Sequence, residues 1–210
     1  FLLYFDCFVC VKFYYTGLFD IFAGIGGFRS GLEKAGGFEC VGYCEIDRYA
    51  KKAYETMYDT EGEVYYDDAR KINPNELPDF DLICGGFPCQ SFSIAGKRGG
   101  FDDARGTLFF EIARIAAVKK PKYLLLENVP GLLSHDSGRT FATILGSLDE
   151  LGYDVAWQVL NSANFRVAQS RKRVFIIGFL REKCAGKVLS FTDANPKTLV
   201  QRIPGREGCR

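Results

Sequence analysis

The sequence predicts an α/β fold in which helices cover both faces of a mostly parallel β-sheet. From Leu18 onward, short apolar runs typical of strands alternate with helical patterns, and this alternation produces parallel sheets. Glycines directly follow the first and fourth apolar runs, at strand ends where such sheets bind ligands. With 210 residues, of which 47% are hydrophobic and 25% charged, the chain can form one globular domain with a substantial core.

Seven apolar runs are predicted to be the strands. In chain order they span residues 19–23, 39–46, 63–66, 80–84, 123–126, 153–160 and 174–178, with a further short candidate at 188–191. After the first strand, a helix is expected to run to about Ala35 and to stop at Gly36 and Gly37. After the second strand, Asp47 is expected to cap a helix that ends at Met57. The expected inner face of that helix consists of Tyr49, Ala50, Ala53 and Met57.

Two more helices are predicted from apolar residues that recur at helical spacing. The first is marked by Leu108, Ile112, Ile115 and Ala116, and the second by Phe141, Ile144, Leu145, Leu148 and Leu151. A long glycine-rich segment precedes the first of these helices. Segments of that length inside compact domains are usually functional or disordered.

Charge and cysteine placement restrict the functional classes. The net charge of +1 gives no overall attraction to nucleic acid, so any such attraction depends on clusters at residues 97–98 and 171–173. Cys40, Cys44 and Cys84 lie within or beside apolar runs, where a free thiol packs as a small hydrophobic group. This placement favours a reduced cytoplasmic protein over a disulfide-bonded one.

The first residues of the chain indicate neither a metal site nor a membrane anchor. Cys7 and Cys10 have zinc-like spacing, but there is no second such pair and the only histidine is His135, so we expect no metal. The apolar segment 1–15 is too short to cross a membrane and lacks the features of a signal peptide.

A cysteine follows the fourth predicted strand in a stiff turn. Residues 85–93 read Gly-Gly-Phe-Pro-Cys-Gln-Ser-Phe-Ser, and Pro88 has a fixed φ, so the turn presents the thiol of Cys89 rigidly. The carboxyl end of a strand in an α/β sheet is where ligands bind. Cys89 is therefore a candidate nucleophile for covalent chemistry.

A glycine loop and an acidic residue indicate a cofactor that contains adenosine. Gly24 and Gly26 follow the first strand, and Glu45 lies about twenty residues later, the spacing at which an acid binds ribose hydroxyls. Arg29 stands where the dinucleotide pattern has glycine, so a pyrophosphate fits less well. The alternative, glycines that serve only a tight turn, stays open. Asp68 after the third strand could accept from an adenine amino group or cap the next turn.

Glu127, Arg171 and Arg173 are the remaining candidates for chemistry. Glu127 ends an apolar strand, so its carboxyl group is expected to be desolvated and to have a raised pKa, as a proton donor needs. A surface glutamate that caps the next turn is the alternative. Arg171 and Arg173 point to one side of their strand by its period of two and suit a phosphate or a base carbonyl.

Four ordered motifs resemble those of the DNA (cytosine-5) methyltransferases. They are Asp-Ile-Phe-Ala-Gly-Ile-Gly-Gly-Phe at 20–28, Gly-Phe-Pro-Cys-Gln at 86–90, Glu-Asn-Val at 127–129 and Gln-Ser-Arg-Lys-Arg at 169–173. The segments 93–97 and 105–110 are similar to those of bacterial members, and the resemblance runs from about residue 18 to residue 179. It implies a three-layer, Rossmann-like sheet of the S-adenosylmethionine-dependent type, mostly parallel with a final antiparallel strand.

The resemblance also implies the substrate, the cofactor and the site residues. The cofactor would be S-adenosyl-L-methionine, and the substrate a flipped cytosine in double-stranded DNA, within a restriction-modification system that has its own endonuclease. The implied cofactor residues are Phe22, Gly24, Ile25, Gly26, Gly27, Glu45, Ile46, Asp68, Pro88 and Leu108. Glu45 would bind the ribose, Ile46 would pack on adenine and Asp68 would accept from the adenine amino group.

The implied catalytic residues are Cys89, Glu127, Arg171 and Arg173. Cys89 would attack carbon 6 of the cytosine, and Glu127 would protonate or hydrogen-bond ring nitrogen 3. Arg173 would bind the exocyclic oxygen, while Arg171 would position Cys89, Glu127 or a phosphate.

We divide the chain into an extension (1–17), a cofactor-binding and catalytic domain (18–180), and the incomplete start of a linker or target-recognition region (181–210). The sequence ends soon after the seventh predicted strand, so we expect the target-recognition domain to be missing. One alternative is therefore a cofactor-binding fragment without activity, and another is methylation of cytosine in RNA. A nicotinamide-dependent oxidoreductase is the alternative at the level of the fold, and Arg29 together with the pair Cys89 and Glu127 argues against it.

Overall fold

One mixed β-sheet organises the protein. The computed structural model describes residues 16–88, 108–184 and 201–202. The strands in these ranges are β1 (Thr16–Ile21), β2 (Phe38–Cys44), β3 (Val64–Tyr66), β4 (Leu82–Gly86), β5 (Tyr123–Asn128), β6 (Tyr153–Asn161), β7 (Lys172–Leu180) and β8 (Gln201–Arg202). The helices are α1 (Gly27–Ala35), α2 (Arg48–Met57), α3 (Leu108–Lys119), α4 (Arg139–Glu150) and α5 (Arg181–Cys184).

The order of the strands confirms the predicted sheet. They lie side by side as β3-β2-β1-β4-β5-β7-β6-β8, and the neighbours from β3 to β5 are parallel. Strand β7 is antiparallel to both β5 and β6, as expected for the final strand, and β8 adds a short antiparallel pairing to β6. The chain proceeds outward from β1 in one direction and then from β4 in the other. The gap between β1 and β4 is thus the switch point at which open α/β sheets bind ligands. The strand candidate at 188–191 lies outside the described residues.

Alternating side chains of the strands form two apolar layers. Phe19 and Ile83 pack against α3 and α4, whereas Leu18 and Leu82 pack with Leu32 of α1. Because successive side chains of a strand point to opposite faces, this division follows directly from the sequence. The three-layer arrangement is therefore confirmed.

The predicted inner face of α2 is wrong, although its beginning is right. The carboxylate of Asp47 accepts from the backbone N–H groups of Tyr49 and Ala50, as a helix cap does. Tyr49 and Met57 are nevertheless 67% and 56% exposed, and Tyr54 is the buried residue of this helix. The ring of Tyr54 stacks on that of Tyr43 with centroids 4.3 Å apart, and its hydroxyl donates to the buried carboxyl group of Asp20. A tyrosine can be buried when its hydroxyl is bonded in this way, which the helical pattern alone does not reveal.

Two strands continue further toward the candidate site than predicted. Gly85 and Gly86, expected in a turn, are the last residues of β4, and Glu127 and Asn128 are the last residues of β5. A Cβ atom at position 85 would lie 1.9 Å from the carbonyl oxygen of Ile21 in β1. Glycine at this position is therefore what allows β1 and β4 to pair side by side.

Candidate active site

The carboxyl edge of the sheet collects the site residues that the sequence predicts. The glycine loop follows β1, Glu45 follows β2, Asp68 follows β3, Phe87 and Pro88 follow β4, and Leu108 begins α3. Glu127 is the penultimate residue of β5. Arg171 directly precedes β7 and Arg173 is its second residue, and β7 runs beside β5 in the opposite direction. Cys89 lies outside the described residues, so its geometry stays a prediction.

Glu45 braces the glycine loop. One carboxylate oxygen accepts from the N–H of Gly24 at 2.7 Å, and the other accepts from the N–H of Asp47 at 2.7 Å. Phe22 and Gly24 both adopt positive φ values, 56° and 57°, so the loop turns sharply directly after β1. A carboxylate has about four acceptor positions, so Glu45 can bind further hydroxyl groups while it supports the loop.

The loop leaves room for a ligand beside Glu45. A Cβ atom at Gly24 or Gly27 would meet no described atom within 4 Å, whereas one at Gly26 would collide with the ring of Tyr58 at 2.4 Å. Ile25 and Ile46 expose 57% and 70% of their surface next to this space. Open backbone, apolar surface and a carboxylate with spare acceptors form a suitable cradle for an adenosine-containing cofactor.

Asp68 adopts the capping conformation that was one of its two predicted roles. Its carboxylate accepts from the N–H of Arg70 at 3.0 Å and forms an ion pair with the Arg70 guanidinium at 2.7 Å. These hydrogen bonds lower the pKa of Asp68 to about 2. An adenine amino group would have to share the carboxylate with Arg70, and that contact stays a prediction.

Arg29 has a structural role that explains its departure from the dinucleotide pattern. The guanidinium lies over the rings of Tyr58 and Tyr54, and it forms an ion pair with Glu63 at 2.8 Å. It also donates to the carbonyl of Asp59 at 3.0 Å. Arg29 therefore connects α1 to α2 and to the segment before β3, away from the glycine loop.

A buried polar network lies between α1, α2 and the sheet. The Asp20 carboxyl accepts from the thiol of Cys84 at 3.6 Å and from the hydroxyl of Tyr54 at 3.4 Å. Burial raises the pKa of Asp20 to about 8, while these hydrogen bonds and the charge of Arg29 act in the opposite direction. Asp20 is therefore mainly protonated at neutral pH in the folded protein. Cys40, Cys44 and Cys84 are buried free thiols, as predicted.

Replacing Asp20 with asparagine is expected to remove a pH dependence of folding. The carboxyl group titrates near pH 3.8 when exposed and near pH 8 when folded, so the folded state binds the proton more tightly. The free energy of unfolding therefore decreases by up to about 1.4 kcal/mol per pH unit toward the folded pKa and levels off above it. Asparagine has the same size and no such titration. Urea unfolding of both proteins from about pH 6 to about pH 9 measures this difference, which should grow up to about pH 8; parallel stability curves would contradict the buried acid.

Glu127 and Arg173 form the central ion pair of the edge. The Nε atom of Arg173 lies 2.6 Å from Oε1 of Glu127, and both side chains are largely buried. Burial raises the pKa of the Glu127 carboxyl group, and the charges of Arg173 and Arg171 oppose this rise. A Cβ atom at Gly86 would lie 2.8 Å from the second oxygen of Glu127, so the glycine makes space for the carboxyl group. The desolvated acid that the sequence predicts is thus present, paired with one of the two predicted arginines.

Arg171 is positioned through its backbone. Its N–H donates to the hydroxyl of Ser162 at 2.9 Å, and its carbonyl accepts from the N–H of Ser162 at 3.0 Å. The Arg171 side chain is exposed and forms no ion pair with any residue that the structure describes. It can therefore reach a phosphate or base brought to this edge.

Asn128 and Ser162 are residues that the sequence analysis did not assign. Asn128 is 3% exposed, and its amide donates to the carbonyl of Phe87 at 2.8 Å. Phe87 is itself buried against the ring of Phe109, whereas Pro88 is exposed. The position of Asn128 directly after Glu127 could have marked it as a site residue, but the pattern of apolar residues in the sequence does not predict that its side chain is buried.

Within the described ranges, no helix is long and apolar enough to cross a membrane. No cluster of three or more His, Cys, Asp or Glu side chains in those ranges could hold a metal ion.

The chain is similar to a known protein family and to curated relatives. The model of the C-5 cytosine-specific DNA methylase family matches residues 17–205. The type II methyltransferase M1.ScrFI of Lactococcus lactis subsp. cremoris is 48% identical over 184 residues, covering 88% of this chain and 46% of the relative. The type II methyltransferase M.NgoBI of Neisseria gonorrhoeae is 51% identical over 162 residues, which cover 76% of this chain and 49% of that relative. The chain thus spans about half the length of the curated relatives it matches.

A solved structure supports the fold. The S. pombe Dnmt2 methyltransferase superposes with a TM-score of 0.63 at 23% identity, covering 79% of this chain and 51% of that one. At this identity the likeness concerns the fold alone.

Proposed function

This chain belongs to the C-5 cytosine-specific DNA methylase family, and on that premise we propose that it methylates carbon 5 of cytosine in double-stranded DNA. The observation that supports this most directly is the desolvated Glu127 paired with Arg173, at the edge where β4 leads toward Cys89. The methyl donor is S-adenosyl-L-methionine, which supplies an electrophilic methyl group.

The space beside the glycine loop suits this donor. Glu45 would bind the ribose hydroxyls with its remaining acceptor positions, and the exposed side chain of Ile46 would pack on the adenine. The other residues of this pocket are Phe22, Gly24, Ile25, Gly26, Gly27, Asp68, Pro88 and Leu108. The open positions at Gly24 and Gly27 let the backbone approach the donor closely.

The protein's own groups make carbon 5 reactive. The Cys89 thiolate forms a bond to carbon 6, which breaks the conjugation of the ring and gives carbon 5 the character of an enamine. Glu127 gives its proton to nitrogen 3, so negative charge does not accumulate there, and Arg173 binds the exocyclic oxygen. Transfer of the methyl group to carbon 5 would leave S-adenosylhomocysteine. A base then removes the proton of carbon 5, the thiolate departs and nitrogen 3 returns its proton to Glu127, which restores the aromatic ring.

The substrate must reach this edge outside the base stack. A cytosine inside a duplex is covered on both faces, so the enzyme flips it out at a cost of a few kcal/mol. Arg171 is exposed beside the Glu127–Arg173 pair and can hold the flipped nucleotide by its phosphate. We further propose that the protein acts in the cytoplasm and alongside a restriction endonuclease, in agreement with its buried free thiols and the names of its relatives.

Replacement of Cys89 with serine is the direct test of the proposal. Methyl transfer from labelled cofactor to DNA should be lost in Cys89→Ser, because a serine hydroxyl is not a thiolate, while cofactor affinity stays within about twofold. Cys209→Ser is the matched control and should transfer methyl groups at the parent rate. Retained turnover in Cys89→Ser would contradict the assignment.

Trapping with 5-fluorocytosine tests the covalent step. Fluorine at carbon 5 blocks proton loss, so a stable adduct between DNA and Cys89 should form only when cofactor is present. Cofactor binding without methyl transfer would favour the alternative of a binding fragment, and restoration by a separately supplied downstream chain would identify what it lacks. Transfer to RNA but not to DNA would favour the RNA alternative.

A further inference from the structure

The side chain of Asn128 joins the ends of two central strands. Its Nδ2 donates to the carbonyl oxygen of Phe87 at 2.8 Å, and its Oδ1 accepts from the N–H of Val129 at 2.9 Å. The last main-chain pair of β4 and β5 is Gly86 with Glu127. Asn128 therefore continues the connection between these strands by one residue, through its side chain.

An amide is required at this position. The buried carbonyl of Phe87 needs a donor and the N–H of Val129 needs an acceptor, and a neutral amide offers both at once. Because Asn128 is 3% exposed, water cannot replace either bond. The two partners also determine the orientation of the amide.

We propose that Asn128 is a positioning residue that fixes the turn leading to Cys89 relative to Glu127. The role rests on the proposed function, since it concerns the nucleophile and acid of that reaction. Phe87 precedes Cys89 by two residues, and Pro88 between them has little backbone freedom, so a shift of Phe87 is passed on along the chain. Glu127 is the direct neighbour of Asn128. One amide thus connects the backbone that precedes Cys89 to the residue next to Glu127, and reaction rates are sensitive to how such groups are positioned.

Asn128→Asp separates the two hydrogen bonds. The carboxylate keeps the acceptor for Val129 but cannot donate to Phe87, and it places negative charge against that carbonyl. We expect the rate of adduct formation with 5-fluorocytosine DNA to fall by about tenfold or more, while affinity for S-adenosylhomocysteine stays within about threefold. Asn73→Asp is the matched control and should match the parent. Asn73 is not one of the site residues, and its amide likewise accepts from a backbone N–H and donates to an oxygen, that of Glu76 at 2.7 Å.

A second variant and a second measurement keep the proposal falsifiable. Asn128→Ala removes the donor without adding charge and carries the test if the aspartate variant does not fold. An unchanged adduct rate in a folded variant would overturn the proposal. Loss of S-adenosylhomocysteine binding in both variants would assign Asn128 to folding and would overturn it equally.

Alkylation of Cys89 by iodoacetamide distinguishes this proposal from the proposed function. It needs neither DNA nor cofactor and is followed by mass spectrometry on the peptide that contains Cys89. We expect Asn128→Asp to change this rate by about threefold or more and Asn73→Asp to leave it unchanged. If the parent protein does not modify DNA, the proposed function fails, whereas an unchanged alkylation rate overturns the role of Asn128.

Discussion

Replacing Gly85 with alanine is expected to destabilise the protein more than the same change at any other glycine that the structure describes. The new Cβ would lie 1.9 Å from the carbonyl oxygen of Ile21 and 3.0 Å from its carbonyl carbon. These are backbone atoms of the neighbouring strand, so they can withdraw only if the pairing of β1 with β4 opens. Both strands are central in the sheet and buried on both faces. We expect a loss of about 3 kcal/mol or more, a large part of the stability of a typical domain.

Urea unfolding and the yield of soluble protein measure this loss. Gly146→Ala is the matched control, because Gly146 is exposed in α4 and a Cβ there would meet no described atom within 4 Å. Alanine in the middle of an exposed helix is expected to raise stability by up to about 1 kcal/mol. The two variants should therefore move the unfolding midpoint in opposite directions. A Gly85→Ala protein with the parent midpoint would show that β1 and β4 can separate at no cost.

Gly85 also illustrates what the sequence can and cannot predict. The two glycines after the fourth apolar run indicate a close approach of the backbone, and the structure confirms that approach. Their place inside β4, and not in a turn, depends on Ile21, which lies 64 residues earlier in the chain. A local pattern has no information on which strand will lie alongside.

The residues of the candidate site and the buried network likewise fall into those that the sequence predicts and those that it does not. Glu45, Glu127 and Arg173 were predictable because each follows or begins an apolar strand, and parallel strands bring their carboxyl ends to one edge. The partners of Asp20 could not be predicted, because Asp20 lies in β1 whereas Tyr54 belongs to α2 and Cys84 to β4. The same holds for Asn128, whose proposed role depends on its contact with Phe87, the residue that follows β4.

The pH dependence of methyl transfer is the second prediction with a large effect. Glu127 must carry a proton to give to nitrogen 3, and burial raises the pKa of its carboxyl group above the ordinary value of a glutamate. A group with a raised pKa loses its proton as the pH rises through that value, so Glu127 produces a falling limb. The Cys89 thiol must lose its proton to react, so it produces a rising limb. We expect a bell-shaped profile of the transfer rate under single-turnover conditions.

Glu127→Gln should lower the transfer rate by about 10²- to 10⁴-fold and remove the falling limb. Glutamine has the same size and can still hydrogen-bond nitrogen 3, but it has no proton to transfer, so the residual rate should keep only the rising limb. Glu111→Gln is the control, because Glu111 also pairs with an arginine, Arg114 at 2.7 Å, within α3. Binding of S-adenosylhomocysteine should be equal in all three proteins, since neither glutamate belongs to the cofactor cradle. A falling limb that persists in Glu127→Gln would mean that another group supplies the proton, and the ion pair with Arg173 would then serve only to hold the edge of the sheet together.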